Sequence, residues 1–579
     1  MKFNFLSRAS RIVALGVILS GSASCITVDE RLGENFIPTD QMWHVFSPEA
    51  AELKEIRMQI ADSLSAYSST RFTFGSVHDD VLGTSIKSTS FTLVPVADTL
   101  DFGENPKVKY FHFSASKDTV STVYDDQVGM LQNVYVSELN EALDTTIVYT
   151  GAFMVPENRN KFLDTENLIT SGIPVYNGGD SLSFYFSNEF AQRVVDDLNG
   201  MILDSMTTYL EKMPGIYITT DAPIGNGGRI NMFSLPIKTD SYGYISGNYA
   251  HLKITSKYGK RENVDTSFIF YFGPSRFIQA EDQDFPEQYA FNGSEHDSYE
   301  TYKNNGVAAT DKIHVEGGSG VKPVVKATEI KRILEEQIAA AGIDNPKEVV
   351  INKATITFPY NVGGDYSLLE KYPDVLSPTV RLRSSEGKFV TYAGLTDSSI
   401  ESENQGGINR STSVYSPDIS HHVQEILKLD RNDPDFKKNI EKYDIWFLIM
   451  HEEIIVESSS SSAYDDYYNN LLYSSYYNNM MYDPYGYGYG GYGGYGGYGY
   501  GGYGGYGGYG GYGYDNYYNY LMMSMYSSAS YGSDTSTSST TELDKDRYYR
   551  CSLTGPEAPQ SAGSRPTLKL TFSVPKTAE

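Results

Sequence analysis

Leu53-Lys54-Glu55-Ile56-Arg57-Met58-Gln59-Ile60 decides how the chain is read. Ile56, Met58 and Ile60 alternate with Arg57 and Gln59. A period of two puts the three apolar side chains on one face of a β-strand and the polar ones on the other. The same texture recurs outward from this stretch. Phe72 and Phe74 alternate before Gly75, and strand-like runs follow at Phe91 to Val96, Val108 to Phe113 and Asn133 to Val136, each bounded by Gly, Asp, Asn or Ser clusters. Ile216 to Ile218, Ile230 to Leu235, His251 to Thr255 and Phe268 to Phe272 continue the pattern. Later runs are Val349 to Phe358, Val380 to Arg383, Ile445 to Val456 and Leu568 to Val574. The expected fold is mainly β: two jelly-roll-like β-sandwich domains with a few helices.

The helices announce themselves by a change of period. Phe190, Val194, Val195 and Leu198 share one face after the cap candidates Ser187 and Asn188. The pattern continues through Ile202, Met206 and Leu210 past a break at Asn199-Gly200, and Pro214-Gly215 ends it. A second helix is expected where Thr328 can cap, Glu329 sits at the positive end of the dipole, and Ile330, Ile333, Leu334 and Ile338 line one face before Gly342 and Pro346. Asp418 to Leu429 reads as a short third helix.

Between Ile445–Val456 and the last strand the composition collapses. From Ser458 to Thr541 the chain turns to Ser, Tyr, Asn, Gly and Met, and Tyr485 to Tyr514 is nearly pure Tyr-Gly repeat. Glycine at this density makes ordering costly in entropy, and too few aliphatic residues remain for a core. The expectation is a disordered insertion at 458–541. The domain reading is a signal peptide at 1–24, a tether at 25–50, an N-terminal β-sandwich at 51–280, a polar linker at 281–320, and a C-terminal β-sandwich at 321–579 that carries the insertion.

The first 25 residues, MKFNFLSRASRIVALGVILSGSASC, combine a basic stretch (Lys2, Arg8, Arg11), an apolar run from Ile12 to Leu19, and small residues before Cys25. This is an export signal too short to span a bilayer. The position of Cys25 predicts lipidation on its thiol and anchoring to a membrane by acyl chains. Without the signal, 43 basic residues face 73 acidic ones, a formal charge of −30. Such a surface argues against non-specific nucleic-acid binding and against electrostatic adhesion to anionic lipid, both of which want a basic face.

Several short stretches, in order, resemble a family of Bacteroidota surface lipoproteins known only as domain of unknown function 4270. They are Phe74-Gly75-Ser76-Val77-His78-Asp79-Asp80-Val81-Leu82-Gly83, Val134-Tyr135-Val136-Ser137-Glu138-Leu139, Pro214-Gly215-Ile216-Tyr217-Ile218, Ile351-Asn352-Lys353-Ala354-Thr355-Ile356, and Leu568 to Phe572. The departures are His78 and Asp79, where the family's turn has Pro after Asp, and the Tyr-Gly insertion. The resemblance implies an anchored, mostly β protein at the outer-membrane surface and supplies no catalytic residue.

Motifs for chemistry are sparse. His451-Glu452-Glu453 lacks the second histidine of a zincin helix, and His421-His422 stands alone. His78-Asp79-Asp80 reads as a turn before Gly83. Gly488, Gly490 and Gly493 match a dinucleotide fingerprint only because Gly is so abundant there, with neither strand nor helix around them. No cofactor or metal is expected and no catalytic residue is assigned. The functional expectation is a non-enzymatic binding or structural protein of the cell envelope, with glycans or outer-membrane proteins as partners. A scaffold subunit of an outer-membrane complex is the alternative, and a glycan-active enzyme using paired carboxylates a more distant one.

Overall fold

Ile56, Met58 and Ile60 are buried, as their spacing predicts. Their partner lies far along the chain: strand Ile56–Ile60 pairs antiparallel with Val321–Val325. The computed structural model describes residues 43–575, apart from 119–129, 144–148, 154–158, 240–244, 274–288, 384–388, 400–403, 457–536, 560–563 and the single positions 69, 98, 160 and 204. The fold is mainly β, in several antiparallel sheets with few helices. Among the described residues no helix is long and apolar enough to cross a membrane.

Two sheets enclose an aliphatic core. One runs Val307–Ala308, Ile56–Ile60, Val321–Val325, Ile445–Val456, Val375–Arg383, Phe389–Gly394; the other runs Trp43–Phe46, Thr567–Pro575, Val350–Pro359, Val414–Tyr415, Ile408–Asn409. They meet face to face, with the Phe358 and Phe447 rings 4.7 Å apart, and share a core rich in Ile, Leu and Val. Helix Ala327–Ala340 packs Ile330, Ile333, Leu334 and Ile338 into it. The expected Thr328 cap is corrected: the N-cap position is Lys326, and the carboxylate of Asp444 accepts from Ala327 N at 2.9 Å. A distant side chain does the capping, which no local motif reveals. The helix expected at Asp418 to Leu429 is Ser420–Lys428.

The other core is aromatic. Strand Gly83–Pro95 runs through its centre, pairing over one half with Arg71–Asp79, Ala290–His296 and Ile216–Thr219, and at its end with Arg261–Gly273. Phe72, Phe91, Phe113 and Phe272 meet there with ring centroids between 4.8 and 6.3 Å. Helix Asn188–Leu198 covers one side, capped by Ser187, whose Oγ accepts from Phe190 N. Asn199 ends it and Gly200 adopts φ +79°, as the break predicted there requires.

The expected boundaries change in two places. Trp43–Phe46, placed in the tether at 25–50, pairs with Thr567–Pro575; Ile56–Ile60, placed in the N-terminal sandwich, belongs to the C-terminal core. The expected linker 281–320 contains strands Ala290–His296, on the aromatic unit, and Lys312–Glu316, on Arg550–Thr554 of the aliphatic one. Alternation identifies a strand but carries no information about its partner. Polar composition misread the two ends, 290–296 and 313–316, which are mostly buried against polar partners, although the stretch between them is largely exposed.

Candidate functional site

Cys25 lies outside the described residues. So does most of the expected insertion, although Thr537–Leu543 forms a strand against Ile445–Val456, so the excursion ends at 536 rather than 541. A Ser/Thr-rich strand closes its ladder through backbone groups and needs no apolar side chains to do so. The His78-Asp79-Asp80 turn is as expected: the Asp79 carboxylate accepts from Val81 N and Leu82 N at 2.8 and 2.7 Å, and Arg550 Nη1 meets it at 2.6 Å. His422 is structural. Its Nε2 lies 2.9 Å from the Tyr443 carbonyl, and burial pushes its pKa down to about 4, so it donates as a neutral ring. His451 sits on a strand, opposite Glu542. Among the described residues no group of three or more His, Cys, Asp or Glu side chains is placed to hold a metal.

Where the two units meet, the fold assembles a constellation that the sequence does not display. His296 Nδ1 lies 3.3 Å from Glu316 Oε2, and His296 Nε2 lies 3.4 Å from Ser319 Oγ. Serine, histidine and carboxylate in that order have the connectivity of a nucleophile, base and orienting acid. The surroundings oppose that use. Glu316 is fully buried; its Oε1 also accepts from Ser85 Oγ at 2.5 Å, Tyr548 OH at 2.6 Å and Arg550 Nη2 at 3.0 Å. Burial works against the charged carboxylate, yet His296 and Arg550, with the Ser85 hydrogen bond, hold its pKa well below the usual range. Lys322 Nζ donates to the carbonyls of Glu316, Gly318 and Gly320, and burial pushes its pKa down to about 7. The cavity beside Ser319, lined also by Lys87, Asn292 and Asp546, measures about 10 Å³. That is the room of about one water molecule, so no substrate reaches the serine. The seam is a joint: Ser85 and His296 come from the aromatic unit, Glu316, Ser319, Tyr548 and Arg550 from the aliphatic one.

The opposite setting occurs on the outer face of the sheet Ser181–Tyr185, Glu104–Ser116, Tyr249–Tyr258, Arg261–Gly273. Alternation turns Phe111, Phe113, Phe184, Ala250 and Leu252 into the core, which leaves Tyr110, His112, Tyr185, Tyr249 and His251 on the other side. Register aligns Tyr185, His112 and His251 in one row across three strands. The His112 and Tyr185 rings lie 4.6 Å apart, and Tyr110 meets His251 at 5.3 Å and Tyr185 at 6.2 Å, both edge-on. His112 Nε2 and Ser183 Oγ are 2.9 Å apart. Burial lowers the pKa of both histidines, with His112 and Lys253 adding to the effect on His251, which favours the uncharged imidazoles. Tyr185 is 55% exposed. An open groove of about 390 Å³ lies at the far end of the same strands, but its acids are engaged: Glu104 with Lys257 at 2.8 Å, and Asp101 accepting from Gly103 N at 2.9 Å.

No protein-family model, curated protein or solved structure matches the chain. The site therefore has to be read from its own chemistry. The sequence marked Val108 to Phe113 and His251 to Thr255 as strands but not which of their faces looks outward. Tyr185 and His251 join Tyr110 and His112 only through strand pairing.

Proposed function

We propose that the chain is a lipid-anchored binding protein of the outer-membrane surface, held by acyl chains on Cys25, with no enzymatic role. The Tyr110, His112, Tyr185 and His251 face is its contact surface for glycans. The observation that carries this reading is the pair of settings just described. The constellation with catalytic connectivity is sealed, whereas a ring-bearing face is open at Tyr185. A tyrosine ring offers an apolar plane on which the C–H face of a pyranose stacks, and its hydroxyl, with the imidazoles and Ser183, can bond sugar hydroxyls at the edge. The lipoprotein-type signal and the resemblance to a surface-lipoprotein family support the location.

The test is retention of the mature chain on a glycan array, compared with the Tyr110→Ala/Tyr185→Ala double variant. Sugar-dependent retention that the double variant loses is the expected result. If parent and variant are retained equally on no glycan, and mild crosslinking recovers a stoichiometric membrane protein, the scaffold reading replaces this one.

A further inference from the structure

We infer that the outer face of the sheet formed by Trp43–Phe46, Thr567–Pro575 and Val350–Pro359 is a bilayer-contact surface, in which Trp43, Val45 and Val350 enter the headgroup layer of the membrane. The inference rests on the anchored reading above, because it uses the lipid on Cys25 to bring this face to the bilayer.

Register defines the face. Phe46, Phe572 and Ile351 are opposite one another and turn inward, the first two with stacked rings 5.6 Å apart. The neighbouring row, Val45, Ser573 and Val350, therefore turns outward, with Trp43 beside it opposite Pro575. Trp43 is 50%, Val45 64% and Val350 42% exposed, while Ser573 between the two valines is only 4% exposed. With Ser573 buried, no exposed polar side chain stands between the two valines of this row, so they form a patch rather than a scatter of single residues. Its composition suits one occupant. Tryptophan favours the membrane interface, where its ring is apolar and its indole N–H stays wet. Lys353 stands exposed on the same face three positions from Val350, with Asp418 3.6 Å away; Lys569 is exposed on that face too, further along, towards Thr567 and its partner Glu52, which meets Arg565. In a protein with an excess of acid, lysines on the same face as an apolar patch complement lipid phosphates.

Position supplies the second argument. Seventeen residues separate Cys25 from Trp43. Fully extended they reach at most about 60 Å. An anchor at Cys25 thus confines this face near the bilayer, where even weak contacts are occupied because the effective concentration is high.

The chain has two tryptophans, and the second, Trp446, is buried against Tyr392. Trp43 is therefore a built-in reporter. The mature chain is coupled through Cys25 to a maleimide lipid, so that the outcome does not depend on cellular lipidation; the other thiol, Cys551, is buried and its pKa is pushed up by burial. It is placed on phosphatidylcholine vesicles containing about a third phosphatidylglycerol, with or without bromine on the acyl chains. The bromines are expected to cut Trp43 emission about twofold, with no such loss in Trp43→Phe and a smaller one in Val45→Ser/Val350→Ser. Equal emission from both kinds of vesicle, with the chain shown to be bound, would overturn the inference. So would an emission shift that depends on protein density and not on bromine, which would mean copies of the chain cover the patch. Failure of Cys25 to take an alkyne fatty acid in cells would instead sink the anchored reading and leave the vesicle result standing.

Discussion

The seam around Glu316 and the open face around His112 use the same kinds of side chain, serine, histidine and tyrosine, to opposite ends. In the seam each polar group named has a hydrogen-bond partner, with Ser85 and His296 crossing to Glu316, Ser319 and Arg550 of the other unit, and the space left is about one water. On the open face Tyr110 meets Tyr185 and His251 edge-on, His112 and Tyr185 are tilted against each other, and the rings are half-buried or, at Tyr185, exposed. The difference teaches that access, rather than residue type, decides what a constellation does. A Ser, His, Glu arrangement with no room is a joint; a Tyr, His row that no described residue covers at Tyr185 is a surface.

The largest effect is expected in the seam. Glu316→Ala leaves Arg550 and His296 buried without their carboxylate, and loss of one partner from a buried pair costs about 3–5 kcal/mol. The unfolding midpoint in urea should fall accordingly, and the two units should lose their joint transition. A drop of less than about 1 kcal/mol would mean that water reaches the seam and that its closure has been misread.

A second effect should appear with pH. Burial raises the pKa of Asp544 from 3.8 to about 6, Arg547 opposing and Asp546 reinforcing. The folded state then holds a proton that the unfolded state has released between those values. The contribution of Asp544 is therefore fully present below about pH 3.8 and is lost as pH rises through 6, by about 3 kcal/mol. Lys322, depressed from 10.5 to about 7, has its own window: stability should rise as pH climbs from 7 towards 10.5. Asp544→Asn should flatten the first slope and leave the second. Chemical unfolding at a series of pH values checks both, and an unchanged slope between pH 4 and 6 in the variant would remove Asp544 as its source.

On the open face, Tyr185→Ala should leave stability within about 0.5 kcal/mol of the parent, because half its surface already faces water. Removing Tyr110 as well should weaken any glycan contact roughly tenfold, the worth of two stacking rings. Tyr110→Phe/Tyr185→Phe keeps the planes and should retain most of it. If the Phe pair fails as badly as the Ala pair, the hydroxyls and not the rings carry the contact.

Much of the fold was legible and its wiring was not. The period of two marked nearly all the long strands, and Ser187 and Asn199-Gly200 marked the ends of a helix, because those signals act between neighbours in sequence. Ile56–Ile60 was legible as a strand and illegible as a member of the C-terminal sheet, since its partner Val321–Val325 comes more than two hundred residues later. The Asp444 cap and the Tyr185, His112, His251 row were hidden for the same reason. The seam was hidden twice over: its residues are polar and far apart, and polar runs such as 290–296 read as linker when they are buried against one another.

The smallest effect is expected from the Tyr-Gly tract. Residues 457–536, 80 in all, leave and return at Val456 and Thr537, which face each other across one strand pair. If the segment closes as an unstructured loop, deleting Tyr485 to Tyr514 shortens it from 80 to 50 residues and should stabilise the ribbon by only about 0.4 kcal/mol. The melting temperature should hardly move. Adhesion or self-association is where a change should appear, since repeated tyrosines on glycine spacers offer many weak contacts at high effective concentration. Replacing the tyrosines of 485–514 by serine at unchanged length separates contact from spacing. Loss of adhesion in both variants with an unmoved melting temperature assigns the tyrosines a binding role of their own. A serine variant that adheres like the parent makes the tract a spacer, and a melting temperature that falls on deletion makes it part of a core after all.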